Sequence, residues 1–148
     1  YHAFQNPKVK VFFKLMDHSS IYLLIAGTYT PIVLTVMRGP WGWTLFGVIW
    51  GLALAGVVFK LMYLGRYKGI SVTIYLLMGW MIVFAFKPMI TLLPPGLIKW
   101  LAIGGACYTL GVVFYVWRGF PYHHSVWHLF VLGGSISHFF GLLFYLAL

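Results

Sequence analysis

Apolar residues run along this chain in long blocks near residues 18–37, 41–63, 69–87, 95–117 and 124–147. Each block is close to the ~20 residues with which an α-helix crosses the hydrocarbon core of a bilayer. The breaks between them carry turn chemistry: Arg38-Gly39-Pro40, Leu64-Gly65-Arg66-Tyr67-Lys68-Gly69, Pro94-Pro95-Gly96 and Arg118-Gly119-Phe120-Pro121. Within lipid the backbone must satisfy its own hydrogen bonds, so blocks of this length predict helices. The expected fold is all-α, a polytopic transmembrane helix bundle with five complete spans and a single transmembrane domain over residues 1–148. Trp41, Trp43, Tyr63, Tyr67, Trp100 and Trp117 fall near block ends, where an aromatic belt sits. Pro31 inside the first block predicts a kink. Gly47, Gly51 and Ala55 recur every four residues and predict a face of close helix approach, within the bundle or at a homodimer seam.

Composition supports the membrane reading. Hydrophobic residues make up 62% of the chain and charged ones 7%, against about 25% charged in a soluble domain. Ten Lys and Arg face one acid, Asp17. That balance excludes a soluble domain, a disordered tail and a coiled coil. The single cysteine, Cys107, excludes an internal disulfide. A net charge of +9 would suit nucleic acid, but the cations are scattered singly or in pairs between apolar blocks. They read as topology signals, and no nucleic-acid partner is expected.

The chain opens on Tyr1, and residues 1–17 read as the end of a preceding span followed by a cytoplasmic basic loop. Counting cations in alternate loops sets the orientation. Lys8, Lys10, Lys14, Lys60, Arg66, Lys68 and Arg118 fall on one side, and Arg38, Lys87 and Lys99 on the other. The positive-inside rule then places residues 1–17 in the cytoplasm and the C-terminus outside. The localisation expected is the cell membrane, integral and multi-pass.

Ionisable groups are costly inside a bilayer, so each one near a span is a candidate for function. His124 and His128 are four apart at the start of the last block, which puts both imidazoles on one helical face. Such a pair suits two metal ligands or two interfacial histidines hydrogen-bonded to neighbours. Topology adds His2 and Asp17, which fall at the same membrane level on the same side. Three neutral imidazoles and a water form a catalytic zinc arrangement. Asp17 could orient that water, act as general base or balance the charge; alternatively it N-caps the first span. His123 lies about 140° around the helix from His128. His18 is expected to face headgroups. His138, some 15 Å beyond His128 along the axis, is expected to be a buried, hydrogen-bonded histidine rather than a ligand.

Two stretches carry a family resemblance. Asp17-His18-Ser19-Ser20-Ile21-Tyr22-Leu23-Leu24-Ile25-Ala26-Gly27-Thr28-Tyr29-Thr30-Pro31 resembles the signature of the hemolysin III family. So does Trp127-His128-Leu129-Phe130-Val131-Leu132-Gly133-Gly134-Ser135 with His138-Phe139-Phe140 after it. That family groups with the progestin and adipoQ receptors. The resemblance implies a seven-helix fold, here N-terminally truncated, with a zinc site near the cytoplasmic face. It implies His2, His124 and His128 as zinc ligands, zinc as cofactor, and Asp17 as the catalytic residue, acting through the zinc-bound water. It implies membrane lipids as partners and a zinc-dependent lipid hydrolase of ceramidase-like, amide-cleaving type. The alternatives are a pore-forming cytolysin and a receptor-like signalling protein with structural zinc.

Overall fold

The computed structural model describes residues 6–63, 66, 68–117, 119 and 121–147. Regular structure among these residues is entirely helical. Helix α1 spans Pro7–Pro31 and continues as a wider π-type turn through Ile32–Val36. Helix α2 spans Pro40–Met62 and α3 spans Lys68–Gly79. A 3₁₀ segment, Met81–Ala85, leads into the short α4, Phe86–Leu92. Then come α5, Pro95–Val116, and α6, His123–Leu142, which ends in a π-type turn at Leu143–Ala147. Together they give five segments long and apolar enough to cross a membrane. Large apolar side chains such as Phe12, Trp43, Leu54, Phe84 and Leu129 cover the outside, as a lipid-facing surface requires.

The first segment begins earlier than expected. Residues 7–17, expected as a loop, are helical. The Asn6 side chain accepts a hydrogen bond from the Lys8 N–H at 3.0 Å, and Pro7 occupies the first helical position. An Asx cap followed by proline is a strong helix start. Asp17 therefore lies well inside α1 and caps nothing. Residues 1–5, including the expected end of a preceding span, lie outside the described residues.

Both mid-span irregularities trace to proline. Pro31 has no N–H, so the carbonyl four residues back loses its helical partner. Past it the coil widens, with Met37 N–H donating to the Ile32 carbonyl at 3.0 Å. An α-helix also cannot run through Pro88 intact, and the third span restarts at Phe86 with that proline in its first turn. The break at Trp80 leaves backbone groups without helical partners. The buried Tyr29 hydroxyl serves two of them, donating to the Gly79 carbonyl at 2.7 Å and accepting from the Ile82 N–H at 3.1 Å.

Helix α1 packs against α2, but not through the expected stripe. Gly47, Gly51 and Ala55 are exposed, and nothing approaches the two glycines within 4 Å. The opposite face carries the contact: Gly42 sits under the Val33 and Met37 carbonyls, and Gly56 under the Tyr22 ring. The closest helix pair is α5 with α6. Gly104 meets His138 there, Gly111 meets Phe130, Gly134 meets Tyr108, and Gly141 meets Trp100. A spacing of seven is two helical turns, so each helix offers a smooth ridge to its partner.

Candidate metal centre

The third turn of α1 and the start of α6 build the site. Tyr122 sets the start of α6 with a left-handed backbone, φ 64°. Its carbonyl accepts from the N–H groups of Ser125 and Val126 at 2.9 and 3.1 Å. His124 and His128 follow on the first two turns, four residues apart and on one face. Their Nε2 atoms stand 3.1 Å from each other, the rings edge to face with centroids 4.6 Å apart. Asp17 reaches them from α1. Its Oδ1 is 3.4 Å from His128 Nε2, and its Oδ2 is 3.7 Å from His124 Nε2. The donor atoms of all three lie within 4.8 Å of one another.

These residues fit a metal ion. Ligands about 2.0–2.1 Å from a tetrahedral zinc lie about 3.3 Å from one another. The three separations of 3.1, 3.4 and 3.7 Å bracket that spacing. Two imidazoles and one carboxylate form a donor set for a divalent ion of intermediate softness. Two Nε2 atoms facing each other can share one proton or aim both lone pairs at a single cation. Asp17 stands at ligand range from the imidazoles, nearer than the water-separated position expected of a pure base. His2, the third expected ligand, lies outside the described residues.

His18 and His138 differ in their relation to the site. His18 does not face headgroups. It is buried, its Nδ1–H donates to the Lys14 carbonyl at 2.7 Å, and the same nitrogen is 3.7 Å from Asp17 Oδ2. The Tyr75 hydroxyl donates to the His18 backbone carbonyl at 2.8 Å, tying α3 to this turn. His138 behaves as expected. Its Nε2–H donates to the Leu101 carbonyl at 3.2 Å, away from the cluster. Lys60, counted among the cations of the cytoplasmic side, is 1% exposed in the last turn of α2, where the helix dipole favours a cation. Sequence reasoning missed His18, Tyr75 and Lys60 because their burial comes from α1, α2 and α3 meeting, which no local spacing records.

One cavity adjoins the cluster and a second lies beyond it. The smaller, about 10 Å³, is lined by Asp17, His18, Tyr75, Tyr115, His124 and Trp127, among others. That volume is about what one water requires. The larger, about 90 Å³, runs deeper between α1, α3, α5 and α6. Ile21, Tyr75 and Trp127 line both, so the apolar chamber lies directly beneath the acid–imidazole cluster.

Comparison with known proteins agrees with this architecture. The profile of the family described as Haemolysin-III related matches residues 1–139. Hemolysin-3 of Bacillus cereus is 47% identical over 144 residues, covering 97% of this chain and 66% of that protein. The hemolysin-3 homolog of Bacillus subtilis (strain 168) is 44% identical over 144 residues, covering 97% and 68%. The monocyte to macrophage differentiation factor of Homo sapiens is 33% identical over 139 residues, covering 90% and 56%. The chain thus spans about two thirds of its bacterial relatives' length or less of the human one. No solved structure matches it. A five-segment helical membrane bundle whose sequence matches that profile along nearly its whole length is a member of the haemolysin-III related family.

Proposed function

We propose that this protein is a zinc-dependent hydrolase of membrane lipids, cleaving an amide in the manner of a ceramidase. One observation carries the reading: the small cavity at the cluster of acid and imidazole donors shares three wall residues with a larger apolar chamber within the bundle. A lipid headgroup linkage and its chain need that pair of environments side by side. His124 and His128, with His2, would hold the metal. Zinc held there would supply Lewis-acid polarisation of a carbonyl and a water acidic near pH ~7.

The chain's own residues supply the rest. Asp17 accepts a proton from the attacking water and delivers it to the departing nitrogen. The water oxygen forms the new C–O bond, the C–N bond breaks, and a fatty acid and an amine leave. His18 and Tyr75 anchor the α1 turn that carries Asp17. The chamber walls, Ile21, Tyr75 and Trp127 nearest the site, take the acyl chain and keep bulk water away. The seven-to-three cation bias orients the cluster toward the cytoplasmic face of the cell membrane.

The test is a panel of lipid amides and esters, ceramide included, incubated with zinc-replete full-length protein. Fatty acid release is expected, and Asp17→Ala is expected to abolish it. Full activity in Asp17→Ala would overturn the mechanism. Lysis of red cells or vesicles without lipid cleavage would favour the cytolysin reading that the relatives' names suggest.

A further inference from the structure

The chamber beneath the cluster has a second border, away from the metal centre. Leu76, Gly79 and Trp80 of the third span line it on one side, and Gly105, Thr109 and Val112 of α5 on the other. These two elements touch only sparsely, whereas α5 and α6 pack along their full length. Trp80 both lines the chamber and is 48% exposed on the lipid side. Its indole N–H donates to the Thr109 hydroxyl at 3.1 Å, the side-chain bridge across this seam.

The backbone here is built for a local movement. Trp80 sits at the break of the span, where its N–H still donates to the Leu76 carbonyl at 2.9 Å but its own carbonyl accepts from the Val83 N–H at 3.0 Å as the coil tightens into a 3₁₀ turn. Non-helical backbone at membrane depth is tolerated where it borders a cavity. Tyr29 holds Gly79 and Ile82 on either side of the break, so the indole can swing while the flanking turns stay pinned. One neutral hydrogen bond is a weak latch. The bridge also lies at a telling depth. Tyr115, whose ring is 6.1 Å from that of His124, stands six residues after Thr109 on α5. Six residues of helix are about 9 Å, so the seam opens on the chain of a lipid whose headgroup is at the cluster.

We propose that Trp80 and Thr109 form a lateral gate through which an acyl chain passes between the bilayer and the chamber. The inference rests on the lipid-chamber reading above and adds the route. A gate sets rates in both directions, whereas a residue that only lines the chamber sets affinity.

The experiment is stopped-flow mixing of full-length protein with cis-parinaric acid, a fluorescent fatty acid, with metal content as the folding control. Thr109→Val removes the latch at nearly constant shape. It should accelerate both uptake and release by roughly fivefold, the worth of one neutral hydrogen bond, and leave Kd unchanged. Trp80→Ala should accelerate both further. Unchanged rates in both variants, or a changed Kd with an unchanged uptake rate, would overturn the gate. Gly105→Phe separates the two ideas. A Cβ at Gly105 meets nothing within 4 Å, so a phenyl group there fills the chamber. Loss of binding in Gly105→Phe with unaltered rates in the Thr109 and Trp80 variants removes the gate and keeps the chamber. Undiminished binding in Gly105→Phe removes both.

Discussion

At the scale of single residues, Asp17 and the His124–His128 pair differ in how far the sequence reveals them. The i, i+4 spacing of the histidines is a local signal, and it survives folding as a pair of nitrogens 3.1 Å apart. The partnership with Asp17 joins residues 107 and 111 positions apart in the numbering, and membrane level was the cue that linked them. His18 shows the limit of that cue. Depth alone suggested headgroups, but rotation about α1 turns its ring inward to the Lys14 carbonyl. The same contrast yields a prediction. His138→Ala should leave bound metal unchanged, because its ring bonds to the Leu101 carbonyl far from the cluster. His124→Ala should lower metal affinity by at least an order of magnitude, since it removes a direct ligand. Metal retained after dialysis against a graded series of chelator concentrations measures both.

At the scale of the helix, the spans were legible and their facing was not. Helix existence follows from the length of each apolar block, and α2, α5 and α6 lie close to the bounds their blocks predict. Facing in a soluble protein is read from an apolar stripe against a polar one. In a bilayer both sides of a helix meet apolar surroundings, so that contrast vanishes. The Gly47–Gly51–Ala55 stripe therefore gave no direction, and it turns outward while Gly42 and Gly56 take the contact. A Cβ at Gly56 would collide with the Tyr22 ring, which is itself fully buried. Gly56→Leu should lower stability by about 1–3 kcal/mol through overpacking. Gly51→Leu should melt with the parent, because its side chain would point into lipid. Thermal unfolding of the full-length protein in detergent distinguishes the two; equal losses would put the α1–α2 contact on the wrong face. The break in the third span was hidden for a different reason: Pro88 was visible, but the Tyr29 hydroxyl that steadies the gap comes from another helix.

At the scale of the molecule, the bundle places chemistry at one end and an apolar chamber at its middle. Parallel α1 and α6 bring Asp17 and His124 together at the start of the chain's path through the bundle, while Tyr145 ends beside Gly96 at the far side. With the cation bias, that geometry predicts sidedness. In a Cys107→Ser background, Lys10→Cys should resist a membrane-impermeant maleimide in intact cells and react after permeabilisation. Arg38→Cys, in the exposed turn between α1 and α2, should react at once. The opposite pattern would invert the protein in the membrane and put the metal centre outside. Whether His124 and His128 hold a metal ion beside Asp17 is decided by elemental analysis of purified full-length protein beside its His128→Ala variant. The account predicts one zinc per chain in the parent and loss of most of it in the variant. Full zinc retention in His128→Ala would contradict it.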